Sequence, residues 1–312
     1  MKETSINNIA VIGAGLMGYG IGLEFARFGY QVNLYNTSQA SSEIAMKRSR
    51  EDLDIMIQAQ LLTTEEADTA YSRLHSTTNI AEAASNADYI VESVLEVLPL
   101  KQEIFAKLDE ICPPTTILAT NTSGLKVTDI AAKAKHPERI LATHYFHPAH
   151  CMPLVEVMGG EKTDKQVVDI ACKVLRILRK KVVVINTDLP KYIGSRLQDW
   201  LFADIKNLVD QGIATPAMID DAISYGFGRR MAYVAFFKRW DMIGIDFIHT
   251  IMNSWGQEPW KPVAEHFEKG ELGMKTGKGF YDWPDDSAEQ FQKQLKTELL
   301  RLMKIDMENG DI

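Results

Sequence analysis

The chain has 312 residues, long for one ordinary core and comfortable for two domains. Hydrophobic residues make up 46% and charged residues 24%, and no apolar run approaches the ~18 residues of a membrane span, so a soluble protein is expected. A net charge of −8 speaks against nucleic acid or an anionic membrane as the main partner, although a local basic patch could still hold an anionic small-molecule ligand.

The start, MKETSINN, has no apolar signal region, which points to the cytoplasm. Cys112, Cys151 and Cys172 form no CxxC pair and read as reduced thiols. Asn8 to Gly13 is a short β-branched apolar run ending on glycine, as a buried parallel strand does. GAGLMG follows, with Gly13, Gly15 and Gly18 in GxGxxG spacing around Leu16 and Met17, and a helical pattern runs from Leu16 to Phe28. In such a turn the first glycine permits the bend, the second lets a pyrophosphate approach the backbone, and the third lets helix and strand pack closely. The phosphates then lie on the helix N-terminus. With a second strand at Gln31 to Tyr35, the whole reads as a dinucleotide site.

That second strand ends at Asn36, where an NAD site usually carries an acid for the ribose hydroxyls. Asn36, Thr37 and Ser38 do not repel a 2′-phosphate, but between Asn36 and Lys47 no Lys or Arg occurs to attract one. NAD is the expected cofactor, with NADP left open.

Residues 39 to 72 read as two polar helices inserted between strands, the second opening on Thr63-Thr64-Glu65-Glu66 as a capping box would. Further strands are expected at Asp88 to Ser93, Thr116 to Ala119, Arg139 to Thr143, Pro153 to Met158 and Lys181 to Asn186. Helices are expected at about Leu100 to Ile111 and Asp164 to Lys180. This alternation means an α/β fold: a Rossmann-type, doubly wound parallel sheet with ligands at the carboxyl ends of its strands. Asn121-Thr122-Ser123-Gly124 falls at one such end, where Ser123 either meets a ligand or caps a helix.

His144 to Glu156 reads HYFHPAHCMPLVE: an imidazole, a carboxylate twelve residues on, and Pro148 and Pro153 forcing a turn between. A turn of this kind could bring the two side chains together. Neutral imidazole, with an ordinary pKa of ~6.5, suits the removal of a proton from an alcohol, and a carboxylate on its other nitrogen would fix the tautomer. The alternative is a surface loop that happens to hold His144, His147, His150 and Glu156. No HExxH or HxxEH spacing occurs, so no metal is expected.

After Asp188-Leu189-Pro190 the pattern is helical and rich in aromatics, including Trp200, Phe202, Phe236, Phe237, Trp255 and Trp260. An all-α second domain is therefore expected, giving domains of 1–186 and 187–312, with some of the aromatics in a subunit interface of a homodimer.

Taken together, GAGLMG at 13–18, VESVLEVLPLKQEIF at 91–105, NTSGL at 121–125, the His144 to Glu156 segment and GMKTGKGFYDW at 273–283 resemble the 3-hydroxyacyl-CoA dehydrogenase family along nearly the whole chain. The resemblance implies an NAD-binding domain with a helical-hairpin insertion, a helical dimerisation domain, and oxidation of a 3-hydroxyl to a 3-keto group. It implies His144 as catalytic base, Glu156 as its partner, Ser123 as the serine at the reacting oxygen, and Glu96 and Lys101 near the nicotinamide ribose. Asn121 belongs with the cofactor contacts.

Departures bear on substrate. Where the family has TPGFxxNR this chain reads DLPKYIGSR and supplies Ser195; the asparagine of HxFNP is His147; and the insertion runs EDLDIMIQAQ after Arg48 and Arg50, without the lysine cluster that meets CoA phosphates. GRRMAYVAFF at 228–237 resembles the branch containing lambda-crystallin and carnitine dehydrogenase, with Arg230 in place of its arginine. Arginine clamps a carboxylate, which a free acid has and a thioester lacks; a solvated helix end is the bland alternative for Arg229 and Arg230. NAD-dependent oxidation of a small free 3-hydroxy acid is thus favoured over a short-chain 3-hydroxyacyl-CoA, and both over a non-catalytic dinucleotide-binding structural or sensor protein.

Overall fold

A computed structural model describes residues 6–256 and 258–312. The chain divides into two compact units, one ending at Trp200 and the other beginning at Leu201.

The first unit is built on one eight-stranded sheet. Its strands are β1 (Asn8–Ile12), β2 (Gln31–Tyr35), β3 (Leu74–Thr77), β4 (Tyr89–Glu92), β5 (Ile117–Thr120), β6 (Ile140–Tyr145), β7 (Leu154–Gly159) and β8 (Lys181–Ile185), in the order β3-β2-β1-β4-β5-β6-β7-β8. The helices are α1 (Gly18–Arg27), α2 (Gln39–Gln58), α3 (Thr64–Ser72), α4 (Ile80–Ala84), α5 (Leu98–Ile111), α6 (Val127–Ile130) and α7 (Lys165–Ile177), with α8 (Ile193–Asp210) running on past the boundary. Strand alternation separates the two faces. Ile9 and Val11 of β1 join a core with Ile21, Leu23 and Phe25 of α1 and Val174 of α7, whereas Ala10 and Ile12 join one with Phe105 and Leu108 of α5 and Ile130 of α6. β4 and β5, covered on both sides, are buried at every position.

Two features differ from the sequence expectation. The sheet is mixed: β6 and β7 pair antiparallel, and β8 then follows β7 in parallel. The turn through Pro148 reverses the chain within a few residues, too few for the crossover a parallel pair requires. β3 was not expected; it is an edge strand pairing with β2, and with only Leu74 buried it lacks the apolar alternation that marks a strand. The inserted helices form as read, and Thr63 caps α3 reciprocally with Glu66. They cover the α1 face through Leu53, Met56, Ala67 and Ala70.

The second unit contains α9 (Pro216–Asp221), a π-helical stretch Ala222–Phe227, α10 (Gly228–Met231), α11 (Phe236–Ile243), α12 (Ile245–Ser254), α13 (Lys261–Glu268) and α14 (Ser287–Asn309). Its described core centres on Ile245, Ile248 and Val263, and Phe236, Phe247, Trp255 and Trp260 stay exposed. Asp241 on α11 is fully buried and accepts from the N–H groups of Phe280 and Tyr281 and from Trp283 Nε1, each at 2.9 Å. The GKGFYDW segment is thereby wrapped around one carboxylate.

Candidate active site

The carboxyl ends of β1, β4, β5 and β6 bound two cavities separated by the Gly13 to Met17 turn. One, of about 530 Å³, is lined by Gly13, Gly15, Asn36, Ser93 and Lys107 among others. The other, of about 540 Å³, is lined by Met17, Asn121, Ser123, His144, His147, Lys191 and Ser195 among others. Gly13 has φ +96°, and a β-carbon there would press on the Ser93 carbonyl at 2.8 Å; one at Gly18 would collide with the Gly13 carbonyl. At Gly15 nothing lies within 4 Å, which leaves the backbone open to a ligand. Leu16, 63% exposed, stands out from the same turn. The residues present fit a dinucleotide: Gly13, Gly15 and Asn36 would hold it from one cavity, and Met17 and Asn121 from the other.

At the first end Asn36 is buried, and its Nδ2 has no hydrogen-bond partner. A buried amide without a partner is costly, and a ribose hydroxyl would supply the acceptor.

At the second end Asn121 is locked by two bonds, accepting from the Tyr145 N–H at 2.8 Å and donating to Ser93 Oγ at 3.2 Å. Glu96 accepts from the N–H groups of Ser123 and Gly124, both at 3.2 Å, and from the Thr122 hydroxyl. Lys101 is 1% exposed and stands behind it, 3.3 Å from Glu96 Oε2 and 2.7 Å from Glu92 Oε1, so Glu96 is the member presented to the outside. Glu92 was missed from sequence. It is fully buried, and also binds the Thr120 hydroxyl at 2.6 Å and the Val94 N–H at 2.7 Å. An acid closing the apolar run Tyr89-Ile90-Val91 was the available signal, because a buried charge needs a partner and Lys101 follows nine residues on.

The antiparallel register sets His144 directly opposite Glu156. Nδ1 lies 2.9 Å from Glu156 Oε2, both side chains are buried, and Tyr192 and Phe146 flank the ring at centroid distances of 5.3 and 4.9 Å. The other carboxylate oxygen accepts from the Gly194 N–H at 2.9 Å, in the first turn of α8, where the helix dipole favours negative charge. A side chain at Gly194 would run into Phe146. With Nδ1 engaged, Nε2 remains for a ligand in the cavity that His144 lines. Ser123 and Ser195 share that cavity, and Ser195 Oγ donates to the Ser123 carbonyl at 3.2 Å. Lys180, also missed, holds the β6–β7 turn from beneath, with Nζ at 2.8 Å from the Ala149 carbonyl and 3.1 Å from that of Met152.

In the second unit the two arginines differ. Arg229 pairs with Asp306 and lies over Tyr225, whereas Arg230 keeps a buried Nε with no partner. Burial, and then Arg239 nearby, push the Arg230 guanidinium below its ordinary pKa.

A glycine turn beside two cavities, one of them lined by an oriented imidazole and two hydroxyls, has the form of a nicotinamide-dependent oxidoreductase site. Comparison with known proteins makes this specific. The family model for the 3-hydroxyacyl-CoA dehydrogenase NAD-binding domain matches residues 8–189, and that for its C-terminal domain matches residues 192–283. The chain belongs to the 3-hydroxyacyl-CoA dehydrogenase family, and its oxidoreduction is NAD-dependent. It is 32% identical to a probable 3-hydroxybutyryl-CoA dehydrogenase of Bacillus subtilis, over 91% of this chain and 99% of that one. It is 33% identical to an L-carnitine dehydrogenase of Mesorhizobium japonicum, over 77% of this chain and 65% of the other. The crystal structure of a 3-hydroxyacyl-CoA dehydrogenase from Archaeoglobus fulgidus matches with a TM-score of 0.77 at 28% identity, covering 96% and 99% of the two chains. Among the described residues no helix is long and apolar enough to cross a membrane.

Proposed function

We infer that the chain oxidises the 3-hydroxyl of a small free 3-hydroxy acid to the ketone, reversibly. The observation that carries the reading is the His144–Glu156 pair at 2.9 Å on the wall of a cavity shared with Ser123 and Ser195. In this reading His144 Nε2 takes the hydroxyl proton, Glu156 holds the tautomer and stabilises the imidazolium, and Ser123 and Ser195 position the oxygen. Bound NAD supplies the hydride acceptor; Asn121 and Glu96 orient its nicotinamide ribose, Lys101 positions Glu96, and Asn36 meets the other ribose.

The free acid is favoured over a thioester because the insertion lacks the family's lysine cluster and the arginines just ahead of that stretch, Arg48 and Arg50, are taken up locally. Arg50 donates to Asp54 at 2.6 Å and to Asp68 at 2.7 Å, and Arg48 lies over the Tyr19 ring. Arg230, with its unpartnered Nε, is the carboxylate clamp in this reading. The names of relatives such as the Bacillus subtilis protein support the alternative, a short-chain 3-hydroxyacyl-CoA. We place the functional boundary at residues 186/187 and the contacts of a homodimer on the exposed aromatics of the helical domain.

The test is NADH formation from 3-hydroxybutyrate, carnitine, gulonate and 3-hydroxybutyryl-CoA, each with NAD and NADP. Highest kcat/KM for a free acid is the expected result, and highest kcat/KM for the thioester overturns the substrate class. NADH binding without turnover of any substrate would instead support a sensor.

A further inference from the structure

Lys191 occupies a backbone conformation that does not suit it. Its φ is +59°, in the left-handed region where a residue with a β-carbon is disfavoured and glycine is at ease. The local fold imposes this geometry: the Lys191 N–H donates to the Gly124 carbonyl at 3.1 Å, and the Lys191 carbonyl accepts from Arg196 Nε at 2.9 Å. A lysine retained there calls for an explanation. Its pairing with Asp199, at 2.5 Å, is a weak one, because the two side chains are 60% and 52% exposed and such pairs contribute little.

The position of the side chain gives a better account. Lys191 and Asp199 both line the cavity that contains His144, Ser123 and Ser195, and among its lining residues they are the two that carry a formal charge at neutral pH with the histidines neutral. An ammonium has three N–H donors, and the bond to Asp199 uses one. Strain kept at the wall of a reactive cavity indicates that the side chain is used.

We propose that Lys191 binds the anionic group of the substrate, a carboxylate, in the cavity that holds His144, with Asp199 orienting the ammonium. This rests on the oxidation inferred above and narrows its substrate to an acid small enough to place its hydroxyl at His144 and its carboxylate at Lys191. The site lies wholly within the first unit and is an alternative to Arg230 as the partner of that carboxylate.

Two variants separate this role from a structural one. Lys191→Gly relieves the left-handed backbone, so its melting temperature should equal or exceed that of wild type, while KM for the best free acid rises ten- to a hundredfold with kcat within a few fold. Lys191→Met, which keeps the aliphatic stem, should raise KM similarly. Asp199→Asn leaves the ammonium unoriented and should raise that KM by less than either lysine variant does. The methyl ester of the same acid, lacking the charge, should show no comparable response to Lys191→Gly. An unchanged KM for the acid in both lysine variants, or equal losses for acid and ester, overturns the proposal. If wild type turned over only thioesters, the inferred substrate class would fall separately. Calorimetric binding of acetoacetate to the NADH-loaded protein would then decide for Lys191: weakening by Lys191→Gly supports the anion site, and an unchanged Kd removes it.

Discussion

Lys101 Nζ lies 2.7 Å from Glu92 Oε1 with the two side chains 1% and 0% exposed, so this ion pair is sealed at the carboxyl end of β4, directly behind Glu96. Breaking a buried pair leaves an uncompensated charge, and Lys101→Met should cost about 3–5 kcal/mol in urea unfolding. The double variant Glu92→Gln/Lys101→Met should recover part of that loss. A loss below about 1 kcal/mol for Lys101→Met would mean that the pair is hydrated and exchangeable.

Asn36 should govern the choice between dinucleotides. Replacing it with Asp puts a carboxylate where the ribose hydroxyls are expected, which accepts from a diol and repels a 2′-phosphate. The ratio of NAD to NADP in kcat/KM should therefore rise, and 2′,5′-ADP should bind less well relative to 5′-AMP. A variant that came to prefer NADP would show that Asn36 does not face the ribose.

The contrast between Arg229, bound to Asp306, and Arg230, with its orphaned Nε, gives a paired prediction. If Arg230 rather than Lys191 holds the substrate carboxylate, Arg230→Met should lower kcat/KM for a free acid by roughly 2–5 kcal/mol, tens- to thousands-fold, since the carboxylate loses its charge-assisted partner. Its effect on a CoA thioester should be slight. Arg229→Met should instead lower the melting temperature. If Arg230→Met left free-acid kinetics intact, the carboxylate would be assigned to Lys191.

Much of this was legible in the chain because the governing signals are local. Asn8 to Tyr35 announces strand, glycine turn, helix and strand in sequence, and the elements form there with helix α1 beginning at Gly18 rather than Leu16. His144 and Glu156 were readable as a pair because two prolines enclosed the turn between them. What was hidden depends on relations that residue type does not encode. The antiparallel β6–β7 ladder follows from chain reversal, and the polar β3 pairs by backbone alone. Glu92 looks like a strand end until Lys101 is seen beneath it. Lys191 gives no sign in sequence of a positive φ, and Asp241 no sign that three donors from residues 280–283 converge on it.

The central claim is that His144 is the base, and its most direct measurement is kcat together with the NADH dissociation constant of His144→Gln. The amide keeps a polar side chain of similar reach but cannot accept the proton, so kcat should fall roughly 10²- to 10⁴-fold while NADH binds within a few fold of wild type. Glu156→Gln should lose rate as well, because the imidazolium is no longer stabilised by a charge. Turnover by His144→Gln at the wild-type rate would contradict the account.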